Sequence, residues 1–258
     1  MSHISFAPPY HSPGHVQEQI QQHGFAVLPP DDAALWLGTT LAEMHQMDED
    51  WNALPSDDFL KDGGRYRFRR HACFVVEGGE VRSVPHRAHW QPVEYNALHG
   101  GMQRWFAPMQ ERTLHLPVWH QLIAGLAQLS TALFERSNPE HAKCYVEAHQ
   151  FRIDTAQGIG RPTPEGAHRD GVDLVAVFMV NRNNIKGGET RVFEAAGPAG
   201  QRFTMTAPWS LLLLDDARMI HETTPIQPLQ SAGVRDTLVI TCRRSGFQGD
   251  NHMQTGQD

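Results

Sequence analysis

The sequence predicts a mainly β fold, a barrel or jelly roll supported by helices near its N-terminus. Three observations support this prediction. Helical periodicity is confined to the chain before Asn138, seven strand-length segments follow, and those strands do not alternate with helices as they would in an α/β protein. With 258 residues, of which 40% are hydrophobic, the chain can bury a sizeable core as one unit.

The N-terminal half contains the predicted helices. The segment HVQEQIQQHG predicts a short helix that ends at Gly24, and FAVL predicts a strand directly after it. A second helix is predicted over DDAALWLGTTLAEMHQMDEDW, because its aspartates favour a helix N-terminus and its apolar residues have helical spacing. The segment from Pro117 to Arg136 predicts a long helix that packs on a sheet.

Besides FAVL, eight segments have the pattern of strands. GRYRFRRHACFVVEGG alternates basic with aromatic residues, which predicts a strand with one face turned to solvent or to a ligand. The other seven are separated by Gly, Pro, Asn or Asp, as short antiparallel strands are. They are KCYVEAHQFRID, VDLVAVFMV, GETRVFEA, QRFTMTA, WSLLLL, RMIHETTPI and VRDTLVITCRR.

We expect a single domain over residues 1–258, with the barrel core at about 60–243. The proline-rich residues 1–13 and the polar residues 246–258 have no periodicity, so both ends are expected to be mobile. No internal repeat or linker divides the chain.

Composition argues against several classes of protein. The 22 basic and 29 acidic residues give a net charge of −7, with no basic run to match a nucleic-acid backbone. No apolar segment is long enough for a secretion signal or a membrane span, so we expect a cytoplasmic protein that binds neither nucleic acid nor membrane. The three cysteines are expected to be reduced thiols, and the oligomeric state stays open.

The candidate chemistry begins where GAHRD leads into an apolar strand. On an extended chain alternate residues share a face, so His168 and Asp170 project together and could both bind one first-row metal ion. With 16 histidines and 29 acidic residues this spacing alone is weak, and a satisfied polar strand end is the commoner explanation for it. A second histidine would complete a face of two imidazoles and one carboxylate.

Downstream residues supply that histidine and a possible anion site. His221 follows an apolar strand and an Asp-Asp turn, and Arg235 and Thr237 share one face of a later strand. A buried arginine needs an anion, either a ligand carboxylate held with help from the Thr237 hydroxyl or an internal salt bridge to Asp215 or Asp216.

Four features follow one another along the chain: His168-x-Asp170, Gly-Gly-Glu-Thr at 187–190, His221, and Arg235-x-Thr237. Their order resembles that of the iron(II)- and 2-oxoglutarate-dependent dioxygenases. Within that superfamily, YNALHGGMQRWF, AHQFRI, AHRDGVD and NRNNIKGGET resemble the bacterial free L-amino-acid hydroxylases of the L-isoleucine dioxygenase type. The resemblance covers residues 60 to 242, and Thr237 stands where many relatives have serine.

The resemblance implies a double-stranded β-helix, the cupin-like jelly roll, with His168, Asp170 and His221 as iron(II) ligands. It also implies Arg235 and Thr237 as the binding site for 2-oxoglutarate, with dioxygen as second co-substrate and a free aliphatic L-amino acid as the molecule hydroxylated. Such a substrate needs an arginine for its carboxylate, an acceptor for its ammonium group and an apolar wall. The candidates are Arg67, Tyr95, Arg104, Glu147, Gln150 and Arg152.

Two other functions fit parts of the pattern. A metal-binding, cupin-like sensor or storage protein would share the fold and the three ligands but would have no use for the anion clamp at Arg235. An oxygenase that acts on a protein side chain would share all of these residues and is expected to have a shallow, open groove. His86 and His89 lack neighbouring ligands in the sequence and are interpreted as surface residues.

Overall fold

The computed structural model describes residues 6–135 and 142–250. Its helices are α1 (Val16–His23), α2 (Pro30–Trp36), α3 (Leu41–Met44), α4 (Glu111–Leu114) and α5 (Pro117–Phe134), with 3-10 helices at Pro13–His15 and His45–Ala53. Its strands are β1 (Phe25–Leu28), β2 (Arg67–Glu77), β3 (Glu80–Ser83), β4 (Lys143–Asp154), β5 (Leu174–Asn183), β6 (Ile185–Gly187), β7 (Thr190–Glu194), β8 (Gly200–Phe203), β9 (Ser210–Asp215), β10 (Met219–Thr223), β11 (Ile226–Pro228) and β12 (Val234–Arg243).

Within the described residues these strands form three antiparallel sheets. The largest has seven strands in the order β1-β9-β5-β12-β4-β2-β3, and the smaller ones have the orders β10-β7-β8 and β11-β6. Strand β4 lies between β2 and β12, so that Phe151 pairs with Arg69 on one side and with Thr237 on the other. This register sets side chains from three strands in rows across one face of the large sheet.

The large sheet buries both of its faces. One face packs on α5, where Leu122, Leu126 and their neighbours contact Val146 and Ile240 in the main hydrophobic core. On the other face a second core joins the large sheet to the β10-β7-β8 sheet. Its members include Val175, Met179, Val192, Phe203 and Met219. The molecule is therefore layered, with helices, the large sheet and the small sheets in that order.

The predicted architecture, a mainly β jelly roll with helices from the N-terminal half, is confirmed. The long helix is also confirmed over Pro117–Phe134, and the last residue of the predicted segment, Arg136, lies outside the described residues. One predicted helix was wrong in its continuity: the segment starting at Asp31 divides into α2, α3 and a 3-10 helix. Gly38 there has a φ of +71°, and Thr40 and Glu43 form a capping box that starts α3 afresh.

The ends of the chain lie partly outside the described residues. Residues 1–5 and 251–258 are not described, so the predicted mobility of 1–13 and 246–258 stays a prediction. In the described part, Tyr10 forms a bridge with Val27, and Gln248 is buried. No helix among the described residues is both long and apolar enough to cross a bilayer. The three cysteines are free and buried.

Candidate metal centre

His168, Asp170 and His221 converge at the edge of the β10-β7-β8 sheet, where His221 lies on β10. His168 and His221 form a two-way backbone bridge, with N–H to O distances of 3.0 Å and 2.9 Å. Their ring centroids are 4.6 Å apart. Asp170 Oδ1 lies 3.6 Å from His168 Nε2, and Asp170 Oδ2 lies 4.0 Å from His221 Nε2. The three donor atoms all fall within 4.8 Å of one another, a separation that one metal ion can span.

A hydrogen bond to the backbone leaves Nε2 of His168 as the nitrogen that can bind a metal. Its Nδ1–H donates to the Gly166 carbonyl at 2.9 Å, so Nε2 is the unprotonated nitrogen of the neutral ring. Two imidazole nitrogens and one carboxylate suit a first-row transition metal such as iron(II). The residues present therefore fit the group that the sequence resemblance implies.

His168, Asp170 and His221 shift one another's pKa values. Burial alone would lower the pKa of His168, but the hydrogen bond and charge of Asp170, together with Glu165, raise it to about 10. Burial would raise the pKa of Asp170, but the two histidines hold it well below the usual range. Burial and the charge of His168 lower the pKa of His221 to about 4. Without a metal ion the proton therefore lies on His168 and Asp170 is ionised, so metal binding must displace that proton from His168.

Asp216 holds the segment that carries Asp170. Its carboxylate accepts backbone N–H bonds from Asp170 (3.0 Å), Gly171 (2.7 Å) and Val172 (3.0 Å). Gly171 has a φ of +76°, and a Cβ there would lie 2.5 Å from the Tyr95 ring. A glycine is required at this turn because both the backbone conformation and the neighbouring ring exclude a side chain.

Arg235 lies on β12 with its guanidinium inside the protein. The residue is 4% exposed and its Nε has no hydrogen-bond partner. Burial and the charge of Arg182 lower its pKa to about 10. Among the described residues no carboxylate lies within 4 Å of this guanidinium, so a salt bridge to Asp215 or Asp216 is not what occupies it. Thr237, two residues along the strand, faces the same way.

One cavity of about 140 Å³ connects these groups. It is lined by the three convergent side chains, by Arg235 and Thr237, and by apolar residues of the large sheet. A family model described as 2OG-Fe dioxygenase matches residues 48–241, which include all five polar residues. The chain belongs to the 2OG-Fe dioxygenase family. It is therefore an enzyme that uses iron(II) and 2-oxoglutarate.

Solved structures support this membership. The chain is 48% identical to a bsmA homolog from Methylobium petroleophilum PM1, with a TM-score of 0.87 over 94% of this chain and 97% of that one. IDO from Bacillus thuringiensis has a TM-score of 0.69 at 14% identity, over 92% of this chain and 100% of that one. The Fe(II)/α-ketoglutarate-dependent dioxygenase TqaL has a TM-score of 0.69 at 18% identity, covering 92% and 89%. The last two show the fold alone. No curated protein matches the chain.

The six residues predicted for the substrate lie in three places. Arg67, Arg104 and Glu147 line the cavity. Gln150 and Arg152 lie on the opposite face of β4, where Gln150 donates to Asp50 and Arg152 forms a two-bond ion pair with Asp236 at 2.8 Å. Tyr95 packs against Gly171 and borders a separate surface pocket.

Several residues in the cavity wall or directly behind it escaped the sequence analysis. The prediction that His89 is a surface residue was wrong: it is 9% exposed and its Nδ1 lies 2.8 Å from Glu147 Oε2. Arg69 and His71 were not singled out, although they belong to the strand with alternating basic residues. That alternation was the signal, because it sets Arg67, Arg69 and His71 on the same face of β2.

Proposed function

We propose that the protein hydroxylates a free aliphatic L-amino acid, with His168, Asp170 and His221 as the ligands of iron(II). The observation that carries the proposal is the convergence of these three donors in the same cavity as the unpaired Arg235 guanidinium. In a buried setting that guanidinium requires an anion, and a carboxylate accepts two parallel N–H bonds from it.

Each of these residues has one task in the reaction. Arg235 binds the distal carboxylate of 2-oxoglutarate and Thr237 donates its hydroxyl to the same group. Gly166 keeps His168 in the tautomer that offers Nε2. Asp216 fixes the direction of Asp170 through the backbone. Iron(II) with 2-oxoglutarate supplies the dioxygen activation that turns a C–H bond into C–OH, with succinate and carbon dioxide as co-products.

The cavity matches a small amphiphilic substrate. The side chains of His168, Asp170 and His221 are only 11%, 16% and 12% exposed, which favours a small molecule over a folded protein as substrate. Apolar side chains of Phe151, Ile153, Val172, Val177 and Val239 line part of the wall. Carboxylates and guanidiniums occupy another part, as a molecule with one negative and one positive group requires. The four segments that resemble L-isoleucine dioxygenase-type hydroxylases favour the same substrate class.

The test is a screen for succinate release with the twenty free L-amino acids under iron(II), 2-oxoglutarate and air. We expect release with one or a few aliphatic amino acids, each matched by product that has gained one oxygen atom. His168→Ala should abolish release, and His120→Ala, at an exposed helix position, should not. Turnover of a peptide but of no free amino acid would contradict the proposal.

A further inference from the structure

The wall of the cavity formed by β2 and its neighbours holds more buried positive charge than the protein neutralises. Arg67, Arg69 and Arg104 are 5%, 4% and 2% exposed and all line the cavity. Arg67 Nε donates to Asp57 Oδ2 at 2.7 Å, and Arg69 NH1 lies 3.7 Å from the same oxygen. One aspartate therefore serves two guanidiniums, and the third has none of its own.

All three guanidiniums have a buried nitrogen without a hydrogen-bond partner, but Arg67 has the close ion pair with Asp57, so Arg69 and Arg104 are the two that most lack an anion. Among the described residues no carboxylate lies within 4 Å of Arg104, whose NH2 donates to the neutral Gln91 at 2.9 Å. The Nε atoms of Arg104 and Arg69 are both buried without a partner. Both guanidiniums face the Phe106 ring, with Cζ 3.6 Å (Arg69) and 5.7 Å (Arg104) from its centroid. Burial lowers the pKa of Arg104 to about 10, which reflects the cost of this unpaired charge.

The position of this pair relative to the metal centre is fixed by Gln91. Its Oε1 accepts from Arg104 and its Nε2 donates to Asp170 Oδ1 at 3.3 Å. A single amide therefore separates the Arg104 guanidinium from a proposed metal ligand. An anion bound at Arg104 lies in the same cavity as the reacting centre.

The histidines beside Arg69 do not form a second metal site, although their donors are close enough. His71, His89, Glu147 and His149 have ligand atoms within 4.8 Å of one another. However, Arg69 can only donate, and its NH2 lies 2.7 Å from His149 Nδ1. The proton of the neutral ring is therefore on Nε2, the atom a metal would need.

Charge also opposes a metal ion at this cluster. Despite burial, His89 and His71 lower the pKa of Glu147, so that its carboxylate is ionised and accepts from His71 at 3.1 Å and from His89 at 2.8 Å. A divalent ion would add two positive charges beside Arg69, which is already short of anions. The cluster instead holds Arg69 in place, through the hydrogen bond from Arg69 to His149.

We propose that Arg69 and Arg104 form an anion site that binds the carboxylate of the substrate. The anion site itself does not depend on the proposed function. Only the identity of the molecule that carries the carboxylate rests on it. The bound carboxylate takes the free N–H groups of the two guanidiniums, and the rest of the molecule extends along the apolar strand residues towards the metal centre. Arg69 and Arg104 thereby decide which end of the substrate is presented for hydroxylation.

The first experiment needs no substrate. Crystals of the wild-type protein, of Arg104→Gln and of Arg70→Gln are soaked in sodium bromide, and bromide is located by anomalous diffraction. We expect bromide between Arg69 and Arg104 in the wild type and its loss in Arg104→Gln. Arg70→Gln is the matched control, because Arg70 lies on the same strand but donates to Pro108 and Ala53 instead of facing the cavity.

The second experiment compares each amino acid that releases succinate with its carboxamide. Wild-type kcat/KM should be about 10- to 100-fold higher for the acid, the range expected for hydrogen bonds to a charged group. Arg104→Gln should lose that preference. If Arg104→Gln does not fold, Arg104→Lys replaces it; this variant keeps the charge and should retain bromide but lose part of the preference.

The outcomes separate this site from the proposed function. Absence of bromide at Arg69 and Arg104 in the wild type would overturn the anion site, whether or not succinate is released. Bromide there without succinate release from any amino acid would support the site and contradict the amino-acid substrate. A second equivalent of zinc, bound by the apoprotein and lost in His149→Ala, would also overturn the assignment.

Discussion

Asp216→Asn should weaken metal binding while leaving the protein folded. The Asp216 carboxylate accepts three backbone N–H groups, from residues 170, 171 and 172. Asparagine has a single oxygen, so if this faces Gly171 and Val172, its NH2 meets the N–H of Asp170. At least one hydrogen bond to a charged group is lost, about 1.5–3 kcal/mol. The loss acts on the orientation of Asp170, so metal affinity should fall by about 10- to 100-fold.

The assay is anaerobic titration of iron(II) in competition with a chelator, combined with urea unfolding in excess EDTA. Asp154→Asn is the matched control, because Asp154 also accepts a backbone N–H (Ala156, 3.2 Å) but lies at the C-terminal end of β4 and does not line the cavity. The reasoning is refuted if the metal affinity of folded Asp216→Asn equals that of the wild type. It is also refuted if Asp154→Asn loses as much.

Three further predictions concern the turn, the co-substrate and pH. Gly171→Ala should destabilise the protein by about 1–3 kcal/mol in urea unfolding, because it forces a positive φ on alanine and drives a Cβ into the Tyr95 ring; an unchanged midpoint would contradict this. Arg235→Ala should raise the KM for 2-oxoglutarate by about 10-fold or more with a smaller change in kcat, and an unchanged KM would assign Arg235 to structure. Burial lowers the pKa of His89 to about 4, so the folded protein binds fewer protons than the unfolded chain below about pH 6.5, and stability is lost as the pH falls through that window. At pH 5, His89→Gln should remove up to about 2 kcal/mol of this fall in the free energy of unfolding, measured by urea unfolding. The control is His120→Gln, at an exposed position. If the free energy of unfolding falls equally with pH in both variants, the prediction is contradicted.

The fold was predictable because its signals are local. Strand-length segments and the long helical run from Pro117 are properties of adjacent residues, and the predicted segments match β4, β5, β7 to β10, β12 and α5. The short strands β6 and β11 were not predicted as strands of their own. The division of the second helix was less visible. Helical spacing continues through Gly38, and only the capping box at Thr40 indicates that a new helix begins.

The site was predictable where its residues follow a motif or the two-residue period of a strand. It was not predictable where their burial depends on tertiary contacts. The spacing of His168 and Asp170 is weak by itself, but together with His221 and Arg235 in the same order along the chain it pointed to the residues that line the cavity. Arg69 lies on the same alternating strand and could have been found in the same way. His89 could not, because its burial depends on a loop that pairs with Arg104 through backbone hydrogen bonds. Loop positions of this kind have no periodicity.

The most direct test of the central claim is the visible absorption of the protein titrated anaerobically with iron(II) and 2-oxoglutarate. We predict the weak charge-transfer band of an iron–2-oxoglutarate chelate at one iron per chain, with loss of the band in His168→Ala. In Arg235→Ala the band should form only at a higher concentration of 2-oxoglutarate than in the wild type. A band of full intensity in His168→Ala, or none in the wild type at saturating ligand, would contradict the assignment of His168, Asp170 and His221 as the iron ligands.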